Sequence, residues 1–427
     1  MNTTLRYHLF FIAILFLGIS QSAYAQFYRG SYQEFGKNRL QFFTPNWQHM
    51  DYEDFNVYFY GTGRPLADFT AKEGIQTLKY LQDVLDYRMR GKVFILVFNT
   101  QAEFEQSNIG LEIPDANNIG GTTHLQGNKL FIYFNGSHKD LQRQIRGGLT
   151  EVIVRQLMFG KDWKEMVKNS ALMTVPNWYI NGLVSYATQN WSVDIDDKLR
   201  DLVLNGQMGK INRLTGEDAT FAGHALWYYI SEVYGPEVIP NILYMSKISR
   251  NIESGFLFVL GQSMPSLVEA AQKYYLAKYV ADDAQRNLPE SDELKIKTKK
   301  TRTYQRVSLS PDAEYVAFTS NELGQYKVWL HHVGKEKTKK TMKGNHKLDK
   351  IPDVSYPLLG WSPSSEILAI VYEKKGMVLL DLYDVNTKKW DQRELVRVDK
   401  VLGFNFSSDG KKLVISAIKS SQSDLFV

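Results

Sequence analysis

Apolar residues recur with a helical period along two segments in the middle of the chain. In the segment 141–158 they stand at positions 141, 145, 149, 152, 153 and 157, close to the 3.6-residue repeat of a helix with one buried face. The segment 175–186 opens with Val175-Pro176 and continues with an apolar pattern, and proline is tolerated in a first helical turn. The pattern therefore predicts two helices, each with a buried face.

Strand-length apolar or aromatic runs precede these helices, and further helical patterns follow them. The predicted strands are Phe55–Tyr60, Lys92–Phe98 and Lys129–Phe134. A helix predicted over Pro65–Arg90, with Gly91 as its C-cap, separates the first two strands. Three later helices are predicted over Phe221–Tyr234, Val238–Ser249 and Ser266–Val280.

The two central segments resemble the active-site helices of the gluzincin metallopeptidases, in particular the bacterial peptidase MA-like families. These families carry His-Glu-x-x-His on the first helix and Pro-x-Trp-x-x-Glu-Gly-Leu on the second. The second motif matches at Pro176, Trp178, Gly182 and Leu183, but Asn181 stands where the family has its metal-binding glutamate. The resemblance implies an α+β zincin-like domain.

The first motif matches at its middle positions but lacks the residues that bind zinc and act as the general base. With the middle of the motif aligned on Leu149-Thr150, Gly147 replaces the first His, Gly148 the Glu and Glu151 the second His. A catalytic zinc site needs three protein ligands and a general base. Glycine supplies neither, and Glu151 and Asn181 alone cannot hold zinc. We therefore expect no metal, no cofactor and no peptidase activity, with a small hollow at the two glycines.

The resemblance also implies a cleft that binds a peptide. The strand before the first motif helix, Leu130–Phe134, is then expected to be a sheet edge that pairs with extended segments of a partner. The candidate binding residues are Leu130, Phe131, Ile132, Tyr133, Phe134, Gly147, Gly148 and Trp178.

The chain becomes repetitive and all-β from residue 304. Three Ser-Pro-Asp-Gly-like turns, each followed by an apolar strand, begin at Ser310, Ser362 and Ser407, and intervals of about 50 residues suit one propeller blade per repeat. These units resemble TolB-like, or WD-repeat-like, propeller blades. The sequence supplies about two and a half blades, which predicts an incomplete β-propeller that further sequence or another chain completes.

Composition and the first residues indicate where the protein acts. Residues 1–25 combine Arg6, an apolar run and a small-x-small end at Ala25, which is the pattern of a cleaved signal peptide. No cysteine is present, and the formal net charge of +5 is too small to favour a polyanionic partner. The predicted domains are a degenerate gluzincin domain over 26–290, a basic linker over 291–303 and propeller blades over 304–427. The Lys-rich run Lys335–Lys350 is predicted to be solvated loop.

These observations predict a non-catalytic protein of the periplasm, or of the periplasmic face of the outer membrane, without a membrane span. The pairing of domains resembles Bacteroidetes-type TolB-like envelope proteins, which implies a scaffold in a secretion or translocation machine that binds a protein or peptide and no nucleic acid. One alternative is a hydrolase that brings Glu151 near His138 or His224. Another is a glycan- or peptidoglycan-binding module with an exposed row of aromatic side chains.

Overall fold

The computed structural model describes residues 44–107, 124–126, 128–160, 169, 173–287, 294, 296–345 and 353–427. The predicted signal peptide and most of the predicted linker's first half lie outside these residues. In the described part of the linker, residues 296–302 form neither helix nor strand, and the first blade begins at Thr303.

The N-terminal part is built on a five-stranded sheet with the order β1-β2-β3-β5-β4. Strands β2, β3 and β5 are parallel, whereas β1 and β4 pair antiparallel at the two ends. The strands are β1 (Trp47–Asp51), β2 (Phe55–Tyr60), β3 (Val93–Phe98), β4 (His124–Gln126) and β5 (Lys129–Tyr133). The central position of β3 is the one that its uninterrupted apolar sequence predicts.

Helices pack on this sheet and extend the fold beyond it. They are α1 (Arg64–Val84), α2 (Gln101–Glu105), α3 (His138–Phe159), α4 (Asn177–Thr188), α5 (Val193–Leu204), a 3-10 helix (Met208–Arg213), α6 (Gly216–Tyr234), α7 (Val238–Ser249), α8 (Ile252–Leu260) and α9 (Met264–Asp283). The prediction that α1 extends to Arg90 is wrong. Its C-cap is Leu85, and the positive φ of 46° at Asp86 turns the chain out of the helical path.

The C-terminal part contains three antiparallel sheets, with the orders β6-β7-β8-β9, β10-β11-β12-β13 and β14-β15-β16. We call them blades 1, 2 and 3. Their strands are β6 (Thr303–Leu309), β7 (Tyr315–Glu322), β8 (Gln325–His332), β9 (Lys337–Gly344), β10 (Leu358–Trp361), β11 (Ile367–Lys374), β12 (Met377–Asp384), β13 (Trp390–Glu394), β14 (Lys400–Phe406), β15 (Leu413–Lys419) and β16 (Gln422–Phe426). Since β9 is the outer strand of blade 1, the prediction of loop throughout Lys335–Lys350 is wrong.

The repeated serines have a structural role in all three blades. The Oγ atoms of Ser310, Ser362 and Ser407 each accept a hydrogen bond from the main-chain N–H five residues later, at 2.9, 3.0 and 3.0 Å. Each bond closes the turn between the first and second strands of its blade. The sequence repeat thus corresponds to a turn geometry that recurs in each blade.

Blade 3 packs against the N-terminal part. Ile418 on β15 is fully buried and belongs to the same core cluster as β2, β3 and β5. Ser423 Oγ donates a hydrogen bond to the Gly136 carbonyl at 2.9 Å, and the side chain of Leu402 lies beside Gly136. These contacts lie where the loop after β5 leaves the sheet.

Candidate functional site

The predicted hollow is filled at Gly148. Gly147 and Gly148 are both buried on α3. A Cβ atom on Gly148 would lie 2.2 Å from Cδ1 of Leu130 and 2.6 Å from its Cδ2. The expectation of a hollow is therefore wrong at Gly148, because the isobutyl group of Leu130 occupies that space.

Glu151 is engaged by a neighbour on its own helix. Its carboxylate lies 2.7 Å from Arg155 Nη2 and accepts a hydrogen bond from Arg155 Nε at 2.8 Å. Asn181 is half-buried on α4. In the part of the chain that the structure describes, no group of three or more His, Cys, Asp or Glu residues is placed to hold a metal ion.

Strand β5 is not the edge of the sheet, so this expectation is wrong. It lies between β3 and β4, and β4 pairs with residues 129–131. The side-chain amide of Gln144 forms hydrogen bonds with both main-chain groups of Tyr133. Gln144 Oε1 accepts from the N–H at 3.0 Å, and Nε2 donates to the C=O at 2.9 Å. Leu130, Phe131, Ile132 and Phe134 are fully buried. Hydrogen bonds within the chain thus already occupy the main-chain groups that strand addition would need.

Trp178 belongs to the core and does not line a cleft. It is 1% exposed, and its Nε1 donates a hydrogen bond to Asn212 Oδ1 at 2.7 Å. Its ring is stacked with that of Phe256, with 6.4 Å between the centroids. Pro176 is the N-cap of α4, and Leu183 lies on the buried face of that helix. Packing alone therefore accounts for these three motif positions.

Gly182 allows helices α4 and α6 to approach until their backbones are in contact. A Cβ atom on Gly182 would lie 2.4 Å from the Cα of Gly223 on α6, and one on Gly223 would lie 2.0 Å from the carbonyl oxygen of Trp178. The crossing of α4 and α6 thus requires glycine on both sides. This gives the fourth matched position of the motif a steric explanation.

The histidines of the alternative hydrolase lie in different surroundings. His138, at the start of α3, has its ring 4.9 Å from that of Phe69 and 5.0 Å from that of Phe134. His224 on α6 is fully buried, with Nδ1 2.9 Å from Ser185 Oγ. Glu151 pairs with Arg155, so the described contacts do not join the three groups that this alternative combines.

His224 is held in its neutral form. Ser185 Oγ accepts a hydrogen bond from Gln189 Nε2 at 2.9 Å and lies 2.9 Å from His224 Nδ1. The other ring nitrogen, Nε2, is buried and has no hydrogen-bond partner among the described residues. Burial lowers the pKa of His224 from 6.5 to about 4.

We expect His224 to make the protein sensitive to acid. Its folded-state pKa lies below its ordinary value, so its contribution is complete above pH 6.5 and is lost as the pH falls towards 4. His224→Gln should reduce the loss of unfolding free energy across this range by about 2–3 kcal/mol. Urea unfolding at pH 7.5 and 4.5 measures the change, with exposed His49→Gln as the control. An unchanged pH dependence in the His224 variant would contradict the assignment.

A charged cluster between blades 2 and 3 was not predicted from the sequence. Lys400 Nζ lies 2.6 Å from Asp353 Oδ2, and the two side chains are 6% and 8% exposed. Glu373 on β11 lies close enough that burial and the Asp353 carboxylate raise its pKa to about 7, while Lys400 acts in the opposite direction. Asp353 and Lys400 are 47 residues apart, and neither belongs to a local motif. No signal in the sequence could have paired them.

Blade 3 has three strands in the described part of the chain. Blades 1 and 2 have a fourth strand outside the third, whereas β16 is the last strand of its sheet in the described structure. Ser420 and Ser421, with φ of 50° and 66°, form a two-residue turn, so Lys419 and Gln422 are a hydrogen-bonded pair. By alternation, the N–H and C=O groups of Ser423 and Leu425 point away from β15. The side chain of Leu425 is 75% exposed.

Comparison with known proteins gives limited results. No protein-family model matches the chain, and no curated protein matches it. The crystal structure of TolB from Acinetobacter baumannii is similar to 29% of the chain, with 13% identity, a TM-score of 0.24 and 29% of its own length covered. That of an oligogalacturonate lyase from Vibrio parahaemolyticus is similar to 30% of the chain, with 8% identity, a TM-score of 0.23 and 36% of its length covered. The chain thus spans about a third of each structure. The strand order of each sheet defines the blades.

The described helices also bear on the predicted absence of a membrane span. None of them is both long enough and apolar enough to cross a lipid bilayer.

Proposed function

We propose that this protein is a non-catalytic scaffold that binds an extended protein or peptide segment along β16. The observation that carries the proposal is the outward main-chain edge of Ser423 and Leu425 beside an exposed leucine side chain. A strand added there would give blade 3 the four strands that blades 1 and 2 have.

The N-terminal part supports a binding role rather than a catalytic one. We infer that it descends from a gluzincin scaffold whose motif positions now serve packing. Gly148 accommodates Leu130, Glu151 pairs with Arg155, and Gly182 accommodates Gly223. This arrangement and the blades support the proposal that the protein belongs to a secretion or translocation machine of the cell envelope and acts in the periplasm.

Leu425→Pro tests strand addition at β16. Proline removes the outward N–H of residue 425, which does not bond to β15, so the blade should keep its fold while strand addition is blocked. Leu425→Thr keeps the N–H and is the matched control. Affinity purification from the native envelope, followed by mass spectrometry, should recover the same partners with wild type and Leu425→Thr. We expect at least about a tenfold loss with Leu425→Pro.

Two results would contradict the proposal. Equal recovery of all partners by a folded Leu425→Pro variant would exclude addition at β16. Recovery of oligosaccharide instead of protein, lost on removal of exposed Trp390, would favour the glycan-binding alternative, since Trp390 is a large exposed aromatic on blade 2.

A further inference from the structure

Helices α7 and α8 form a surface hairpin with an unusual distribution of side chains. Four large apolar residues on it are well exposed: Tyr244 at 59%, Ile248 at 59%, Leu257 at 50% and Phe258 at 65%. By contrast, the exposed side chains of α5 include Asp194, Asp197 and Asp201. The hairpin thus presents apolar groups where a surface helix ordinarily presents charges.

The exposed residues are separate from those that hold the hairpin in place. Ile242, Leu243 and Phe256 are fully buried. The two helices approach closely at Gly255, where a Cβ atom would lie 2.0 Å from Ser246 Oγ. Asn251 caps α8 through its side chain, which accepts from the Glu253 N–H at 2.8 Å. Since these contacts fix both helices, the exposed apolar side chains are not needed for folding.

The charged side chains of the hairpin are mostly basic. Residues 238–260 contain three charged side chains, Lys247, Arg250 and Glu253, so two basic groups and one acidic group give a net charge of +1. Lys247 and Arg250 are exposed beside Ile248, at the turn between the helices. Cationic groups next to exposed Phe, Leu and Tyr are typical of helices that lie in the interface of an anionic bilayer.

We propose that the α7–α8 hairpin docks the protein on an anionic phospholipid surface. Leu257 and Phe258 enter the boundary between headgroups and acyl chains, Tyr244 lies at headgroup level, and Lys247 and Arg250 contact lipid phosphates. Because the hairpin lies in the N-terminal part and β16 in blade 3, this docking is independent of the proposed strand addition.

Vesicle flotation tests the proposal directly. The full chain should float with vesicles that contain phosphatidylglycerol and less with pure phosphatidylcholine vesicles. Leu257→Ser combined with Phe258→Ser should reduce binding at least about tenfold. Lys247→Gln combined with Arg250→Gln should reduce binding to the anionic vesicles only. Val193→Ser, which changes an apolar side chain that is 83% exposed on α5, should bind as wild type does.

Three outcomes would overturn the proposal. The first is wild-type protein that floats with neither kind of vesicle. The second is a folded Leu257→Ser, Phe258→Ser variant that still binds like wild type. The third is loss of self-association of that variant in sedimentation velocity, with no change in flotation, which would identify a second copy of the chain as the occupant. Circular dichroism and melting of each variant confirm that the fold is retained.

Discussion

Gly223→Ala is expected to destabilise the N-terminal part by about 3 kcal/mol or more. The new Cβ atom would lie 2.0 Å from the carbonyl oxygen of Trp178 and 2.9 Å from the Cα of Gly182. Both are backbone atoms, so no rotamer change relieves the overlap, and α4 and α6 must separate. Separation would open the packing around Trp178 and Tyr179, which are among the largest fully buried side chains.

Urea unfolding followed by circular dichroism measures this effect. Gly403→Ala is the control, because its new Cβ atom would have nothing within 4 Å and the position has no positive φ. We expect it to change the unfolding free energy by less than about 1 kcal/mol. A Gly223→Ala variant as stable as the control would show that the helices do not cross at the described distance.

Lys400→Met is expected to destabilise the contact between blades 2 and 3 by about 3–5 kcal/mol. The change leaves the buried Asp353 carboxylate without its cation, which lies 2.6 Å away in the wild type. It also removes a cation that lowers the pKa of Glu373. The folded-state pKa of Glu373 is raised to about 7, so its contribution to stability is complete below pH 4.5 and is lost as the pH rises through 7.

The pH dependence distinguishes an electrostatic effect from simple loss of packing. Without Lys400 the pKa of Glu373 rises further, so burying Glu373 at pH 8 costs more free energy in the variant, whereas at pH 5 Glu373 is protonated in both proteins. The destabilisation should therefore be larger at pH 8 than at pH 5. Lys273→Met, which breaks the exposed pair with Glu269, is the matched control and should have little effect. Equal destabilisation of Lys400→Met at both pH values would contradict the coupling.

Local periodicity predicted most of the elements correctly. Strand Phe55–Tyr60 and helix Val238–Ser249 have the predicted bounds. Helix α8 was missed because Ile252–Leu260 is apolar on nearly every side, so it shows no helical alternation. The end of α1 was missed because Asp86 leaves the helical path while the apolar pattern continues to Met89.

The site was harder to predict because its geometry depends on distant contacts. Missing side chains at Gly147 and Gly148 suggested space, but Leu130 from another element fills the space beside Gly148. The strand before α3 was expected at an edge, yet β4 and the Gln144 amide occupy its outer groups. Sequence could identify the altered motif, since that depends on residue identity. It could not show what fills the site, since that depends on packing between elements.

Hydrogen–deuterium exchange with and without a captured partner tests the central claim most directly. The account predicts that the partner protects the amides of Ser423 and Leu425, whose N–H groups point away from β15, and leaves the exchange of residues 129–134 unchanged. Protection confined to residues 129–134, with none at 422–427, would contradict the account and place the binding site at strand β5.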